Sequence, residues 1–239
     1  MGNSLLIYLN KRLSEEKSEK KRDVLEGPVI TISREVGCNG LKLARLLSAR
    51  LNTYKPHAEW RVLSKEVFYE SARELNMAPD KIQKTFKHTN KYTFEEILKA
   101  FNDRSYKSER KIVHTVVDVI YSFAIDGYCI IVGRAGHIIA KSIKNALHLR
   151  LVAPLDYRVN NIMHNNGLNK VQSIDFINKV ENERMAFRKM ISDDDVNSDL
   201  FDLCVNRAMF SDEEVVDIIE YAVNKKKIIQ PPKSHLDVF

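Results

Sequence analysis

Short runs of β-branched and aliphatic residues punctuate the chain at Val29-Ile30-Thr31-Ile32, Cys129-Ile130-Ile131-Val132, Leu147-His148-Leu149-Arg150-Leu151-Val152 and Phe201-Asp202-Leu203-Cys204-Val205. Such runs are typical of strands covered on both faces. A weaker run, Trp60-Arg61-Val62-Leu63, lies between the first two. The intervening segments repeat apolar residues at helical spacing, as in Leu43, Leu46, Leu47 and Leu51, and again in Ile112, Val113, Val116, Val117 and Ile120. Strand therefore alternates with helix. Parallel strands need a crossover, usually a helix, so this order predicts an α/β domain with a mostly parallel sheet flanked by helices.

Texture also predicts the domain limits. Residues 1–27 carry a short apolar patch and then a mixed-charge run, which reads as an N-terminal extension; the core begins at Pro28 and extends to about residue 225. A charged helical stretch at about 79–101 reads as an insert between the second and third strands. Residues 226–239, with Pro231-Pro232 after the basic run Lys225-Lys226-Lys227, read as a C-terminal tail.

Composition narrows the class without choosing a function. The 239 residues can bury a substantial core, and no apolar run approaches the roughly 20 residues of a membrane helix. The net charge of +6 is compatible with anionic small molecules or with an ordinary solvated basic surface. No nucleic-acid reading motif is present, so nucleic-acid binding ranks last. Cys38, Cys129 and Cys204 are isolated and lack metal-ligand spacing, and no signal peptide is evident. A cytoplasmic setting with no protein metal site is the expectation. Leu6 stands where a myristoylation signal wants Ser or Thr.

The first predicted strand runs into Ser33-Arg34-Glu35-Val36-Gly37-Cys38-Asn39-Gly40, and a helix follows from Leu41. A strand, a glycine-bearing loop and a helix N-terminus form an anion site, because successive amides point inward and the helix end carries partial positive charge. Gly37 and Gly40 permit close backbone approach, and Arg34 and Lys42 can supply full charge. A tight turn with no ligand is the plain alternative. The loop does not match G-x-x-x-x-G-K-[ST], since Leu41 and Lys42 follow Gly40.

The string ITISREVGCNGLKLARLLSARLN resembles the opening of the cytidylate-kinase-like family, part of the P-loop nucleoside-monophosphate kinases. Gly127 to Gly136 resembles that family's strand ending in Gly-Arg, and Leu149 to Arg158 its next strand and turn. Glu181-Asn182-Glu183-Arg184 with Arg188 resembles its basic lid helix, and Phe201 to Asn206 its last strand. Ser211-Asp212-Glu213-Glu214-Val215 resembles the start of its last helix, with Ser211 as N-cap. The resemblance spans Pro28 to Val223. It implies a five-stranded parallel sheet, a phosphate loop, a lid at about 160–192, and transfer of the ATP γ-phosphoryl group to CMP or dCMP with Mg2+.

On that resemblance Ser33, Arg34, Gly37, Cys38, Asn39, Gly40 and Leu41 are phosphate-binding candidates, and Arg134, Arg184, Arg188 and Lys42 are catalytic ones. Phosphoryl transfer depends on positioning and positive charge more than on covalent chemistry, which is why arginines lead. Arg184 and Arg188 are four apart and share a helix face, where an ordinary solvated basic face is the alternative. Arg158, Arg110 and Lys65 are substrate-binding candidates. Arg110 and Lys111 precede the helix before Arg134, and Lys65-Glu66 has the plainer reading of a surface ion pair. His114, His137, His148 and His164 show no ligand spacing.

The sequence also departs from the family. Gly40 stands where active members carry the phosphate lysine, and Lys42 stands where they carry a hydroxyl. Ala135 replaces an aspartate that helps hold the cytosine nucleotide, and Glu181 replaces an aspartate of the lid pattern. Two readings follow: a kinase whose missing charge comes from Lys42 or Arg34, or a nucleotide-binding regulatory protein that transfers nothing. The oligomeric state is not legible.

Overall fold

The computed structural model describes residues 27–54, 58–64, 110–192 and 200–229. Lys65, the expected insert at 79–101 and the expected extension up to residue 26 lie outside the described residues. Within them the strands are β1 (Val29–Arg34), β2 (Arg61–Leu63), β3 (Cys129–Val132), β4 (Ala146–Val152) and β5 (Leu203–Asn206). The helices are α1 (Gly40–Asn52), α2 (Arg110–Asp126), α3 (Gly136–Ile139), α4 (Leu155–Asn166), α5 (Lys170–Ile191) and α6 (Asp212–Lys225).

The five strands pair in the order β2-β3-β1-β4-β5, and every pair is parallel. The weak run at Trp60 supplies β2. The last run is shortened at its start: the Asp202 carboxylate accepts the His148 N–H at 2.7 Å, and the Asp202 N–H donates to His148 O at 2.8 Å. Five strands in parallel with helices on both faces are the architecture expected of the sequence.

β1 is central, with Ile30 opposite Ile130 on one side and opposite Leu147 on the other. Its position explains its continuous apolar run. Ile30, Ile32, Ile130, Val132, Leu147, Leu149 and Leu151 meet Leu43, Leu47 and Leu51 of α1 and Val215, Ile219 and Val223 of α6 in one core. On the opposite side Ile120, Phe123 and Ala124 of α2 are buried. β4 alternates, so His148 and Arg150 lie on the face away from Leu147 and Leu149. His148 Nδ1 lies 2.8 Å from Thr31 Oγ1, and Arg150 stacks on Phe201 with 5.7 Å from Cζ to the ring centroid.

Two helices start on reciprocal caps. Asn169 and Gln172 close α5, and Ser211, the expected N-cap, closes α6 together with Glu214. Arg50 of α1 bonds Glu213, Asp217 and Glu220 on α6 and so ties the two surface helices. The body runs past the expected boundary at 225: Ile228 is buried in the α1–α6 core, and Lys226 pairs with Asp202 at 2.6 Å. An apolar side chain with a core to enter keeps that segment packed. Among the described residues no helix is long and apolar enough to cross a membrane.

His137 of α3 is buried against Phe201, with 4.7 Å between ring centroids, and its Nε2 has no hydrogen-bond partner among the described residues. Desolvation, reinforced by His148, Arg188 and Arg150, lowers its pKa to about 4. Asp126 is pushed the other way, to about 6, by burial.

Two consequences can be measured. Leu47 is fully buried between α1 and the sheet, so Leu47→Ala should cost about 2–5 kcal/mol in urea denaturation; a loss below about 1 kcal/mol would contradict this packing. For His137, the unfolded chain takes up a proton near pH 6.5, whereas the folded chain does so only near 4. Its stabilising contribution is present above 6.5 and lost as pH falls through that interval. Wild-type protein should therefore lose stability relative to His137→Phe between about pH 7 and pH 4, and parallel pH profiles would refute the buried neutral imidazole.

Candidate functional site

A strand end and two turns define the site. Because β1 and β3 run in parallel register, Ile32 lies opposite Val132, and the Gly133 N–H continues the ladder to Ile32 O at 3.0 Å. The residues that follow each strand therefore leave at one edge of the sheet, where open parallel sheets bind ligands. Arg34 and Arg134, a hundred positions apart in the chain, become neighbours there.

Both turns use left-handed backbone. Gly37 has φ +95°, and a Cβ on it would press on the backbone of Arg158 at 2.7 Å. Asn39 sits at φ 50°, a conformation that asparagine tolerates better than most residues, and α1 starts at the next residue. After β3, Gly133, Arg134 and Ala135 are all left-handed, with φ of 78°, 51° and 52°. Two non-glycine residues in that region carry a conformational cost, and such strain clusters at ligand sites. The turn closes through the Gly136 N–H to Gly133 O at 3.0 Å.

A cleft of about 490 Å³ opens between these turns and α5. Its floor is Ser33, Arg34, Gly37, Asn39, Gly40 and Leu41 on one side and Gly133, Arg134, Ala135 and His137 on the other. α5 forms the roof with Phe176, Lys179, Val180, Glu183, Arg184, Phe187 and Arg188, a stripe at helical spacing. Five cationic side chains line the cleft, Arg34, Arg134, Lys179, Arg184 and Arg188, against two carboxylates, Glu35 and Glu183. The charge balance favours an anion.

α5 is docked on the loop by two directed contacts. Glu181 Oε1 accepts the Val36 N–H at 2.6 Å, and Arg184 Nη1 donates to Arg34 O at 2.8 Å. Val36, Val159, Ile162 and Ile177 pack beneath them. From α4, Asn161 Nδ2 donates to Gly37 O at 2.8 Å and Asn165 Nδ2 to Asn39 Oδ1 at 3.1 Å. The loop is held from both sides before any ligand arrives. Arg134 lies with Cζ 5.6 Å from the Phe187 ring centroid, and burial of Arg188 leaves its Nε without a partner among the described residues and lowers its pKa.

The structure brings together Ser33, Arg34, Gly37, Asn39, Gly40, Leu41, Arg134, Arg184 and Arg188. It places three candidates elsewhere. Cys38 is buried in the core, and its thiol is pushed up to about 11 by desolvation and by Glu35, which leaves no activated thiolate. Lys42 is largely exposed and pairs with Asp212 of α6 at 2.7 Å, because the third residue of α1 points away from the loop. Arg158 lies under the loop, donating to Ala153 O at 3.1 Å and standing 3.4 Å from Glu35 Oε2. Arg110 opens α2, and Lys65 lies outside the described residues.

Sequence reasoning missed Asn161, Asn165, Lys179 and Phe187, and set His137 aside. Extending the Arg184 and Arg188 spacing backwards by one and two turns would have reached Val180 and Phe176, and the adjoining series Phe187, Glu183 and Lys179 repeats the same interval. The asparagine pair has helical spacing too, but nothing in it announces a loop partner. Glu35 accepts the Ala153 N–H at 3.0 Å, so part of its capacity is structural. Among the described residues no three His, Cys, Asp or Glu side chains group as a metal site.

Comparison with known proteins agrees with this architecture. No curated protein matches the chain. An uncharacterised protein from Eubacterium ventriosum has a similar structure, with a TM-score of 0.59 and 18% identity, covering 82% of this chain and 98% of its own. A shikimate kinase from Bacteroides thetaiotaomicron aligns over 82% of this chain and 98% of its own, at 12% identity and a TM-score of 0.43. The family model of the cytidylate kinase-like family matches residues 29–209, from the first residue of β1 to beyond β5 and across every wall of the cleft, and the chain belongs to that family.

Proposed function

We propose that the protein is an ATP-dependent phosphotransferase that moves the γ-phosphoryl group to CMP, dCMP or a related small acceptor. The observation that carries this reading is the convergence of the glycine loop with Arg134, Arg184 and Arg188 on one cleft. Phosphoryl transfer spreads negative charge over the equatorial oxygens of the moving group, and preorganised guanidinium groups in a partly dry cleft bind that charge without reorganising. The loop and the N-terminus of α1 suit the donor phosphates. Arg134 and Arg188, nearer His137 and Phe187, suit the acceptor side.

Mg2+ takes most of its ligands from water and phosphate oxygens, so it does not need a cluster of protein carboxylates. Glu183 on the cleft wall and the Ser33 hydroxyl are the residues that would hold its hydration shell, because Lys42 stands at the usual hydroxyl position and is paired with Asp212. Bound there, the ion would offset phosphate charge. Ala135 offers no carboxylate for a cytosine amino group, which favours an acceptor recognised through its phosphate and by shape.

The second reading, nucleotide binding without transfer, draws on one observation: Gly40 occupies the lysine position and Lys42 is engaged elsewhere. The two readings separate in a coupled ADP-release assay across nucleoside monophosphates with ATP and Mg2+. The expected result is turnover with at least one acceptor, and a fall in kcat/KM of about 100-fold or more for Arg134→Met with an unchanged far-UV spectrum. Thermal stabilisation by ATP with no turnover for any acceptor would leave the regulatory reading; no stabilisation at millimolar ATP would overturn both.

A further inference from the structure

We infer that Arg34 supplies the positive charge that a phosphate-loop lysine would otherwise bring, entering the cleft from the end of β1 instead of from the first turn of α1. This assignment rests on the phosphotransferase reading and names the donor class: a compound with at least two linked phosphates.

The geometry rests on two glycines used by one side chain. A Cβ on Gly40 would stand 3.2 Å from Arg34 Cγ and 3.3 Å from Cδ, tighter than an ordinary contact. The space into which a side chain at position 40 would project is therefore filled by the Arg34 stem. At Gly133 a Cβ would collide with Arg34 Nη1 and stand 2.9 Å from Cζ, so the guanidinium lies on the bare backbone of the turn that presents Arg134. Glycine at 40 is then no mere loss of lysine. It is the opening through which the arginine passes, and glycine at 133 is the platform on which it ends.

The backbone behind this side chain is fixed. Arg34 pairs with Leu151 in the β1–β4 ladder, the next amide, of Glu35, donates to Leu151 O at 3.0 Å, and Arg34 O accepts from Arg184. A charge delivered from a strand in the middle of a sheet is held more rigidly than one on a frayed helix start. The other replacement considered for the lysine, Lys42, is engaged with Asp212 at 2.7 Å and does not line the cleft. A guanidinium also differs from an ammonium in kind: its planar fork can bind two phosphate oxygens at once and stays protonated at any working pH.

In the reaction, the bond from the acceptor oxygen to Pγ forms while the bond from Pγ to the β,γ-bridging oxygen breaks, and the electron pair leaves on ADP. Arg34 moves no proton. It binds the oxygens of the β and γ phosphates, where the charge of the leaving group grows. Selectivity for the length of the phosphate chain follows, since AMP offers nothing at that place.

The test is titration calorimetry of the full chain with ATP, ADP and AMP in the presence of Mg2+, for wild type, Arg34→Met, Arg34→Lys and the exchange variant Arg34→Gly with Gly40→Lys. Wild type should bind ATP at least about tenfold tighter than AMP. Arg34→Met should lose most of that ratio with AMP affinity unchanged, Arg34→Lys should keep part of it, and the exchange variant should regain it. Retention of the full ATP-to-AMP ratio by folded Arg34→Met would overturn the assignment while leaving the phosphotransferase reading intact. If Arg34→Met does not fold, the exchange variant decides: a folded protein without the ratio overturns the assignment. Absence of ATP binding by wild type would sink the underlying reading itself.

Discussion

The site depends on the parallel pairing of β1 with β3. That pairing, with Ile32 opposite Val132, sends both chains out of the sheet at one edge, and the Gly133 N–H bonded to Ile32 O carries the ladder one residue beyond the strands. A shift of one residue would turn each strand's inward side chains outward and bury polar groups in their place. Because Ile30, Ile32, Ile130 and Val132 all enter the same core, the register is strongly determined. The proximity of the loop and the Gly-Arg turn is a by-product of hydrophobic burial some distance below them.

Above the sheet, ordinary packing gives way to backbone that is costly to hold. Asn39, Arg134 and Ala135 lie in left-handed conformations that most side chains avoid, and Gly37 and Gly133 allow approaches that a Cβ would block. The first turn is held by directed bonds from the flanking helices, Asn161 and Asn165 from α4 and Glu181 and Arg184 from α5, and the second closes on itself through the Gly136 N–H to Gly133 O. The cost is local and the support is distributed, which is the usual arrangement at a functional edge.

Electrostatics then separates two kinds of arginine. Arg50 and Arg207 serve the fold, Arg50 by spanning three carboxylates on α6 and Arg207 by pairing with Asp212 at the start of that helix. Arg34, Arg134, Arg184 and Arg188 gather instead where carboxylates are fewer. Concentrating like charges costs stability, and a cleft of this kind is most favourable when an anion fills it.

Much of this was legible in the residues. β-branched runs alternating with helical spacing fix an α/β order, because period and apolarity are local properties of the chain; the Ser-Asp-Glu-Glu cap, the glycine loop and the Gly-Arg turn are equally local. Lys42 and Arg34 were indistinguishable as charge donors on that basis, since both lie within reach of the loop along the chain. Only the tertiary structure separates them: α6 brings Asp212 to Lys42, while the absence of a Cβ at Gly40 and Gly133 admits Arg34. The placement of Cys38 in the core, the engagement of Arg158 beneath the loop and the reach of Asn161 and Asn165 were likewise decided by partners remote in sequence. Which side chains meet across a sheet edge depends on packing between elements, and no local pattern encodes it.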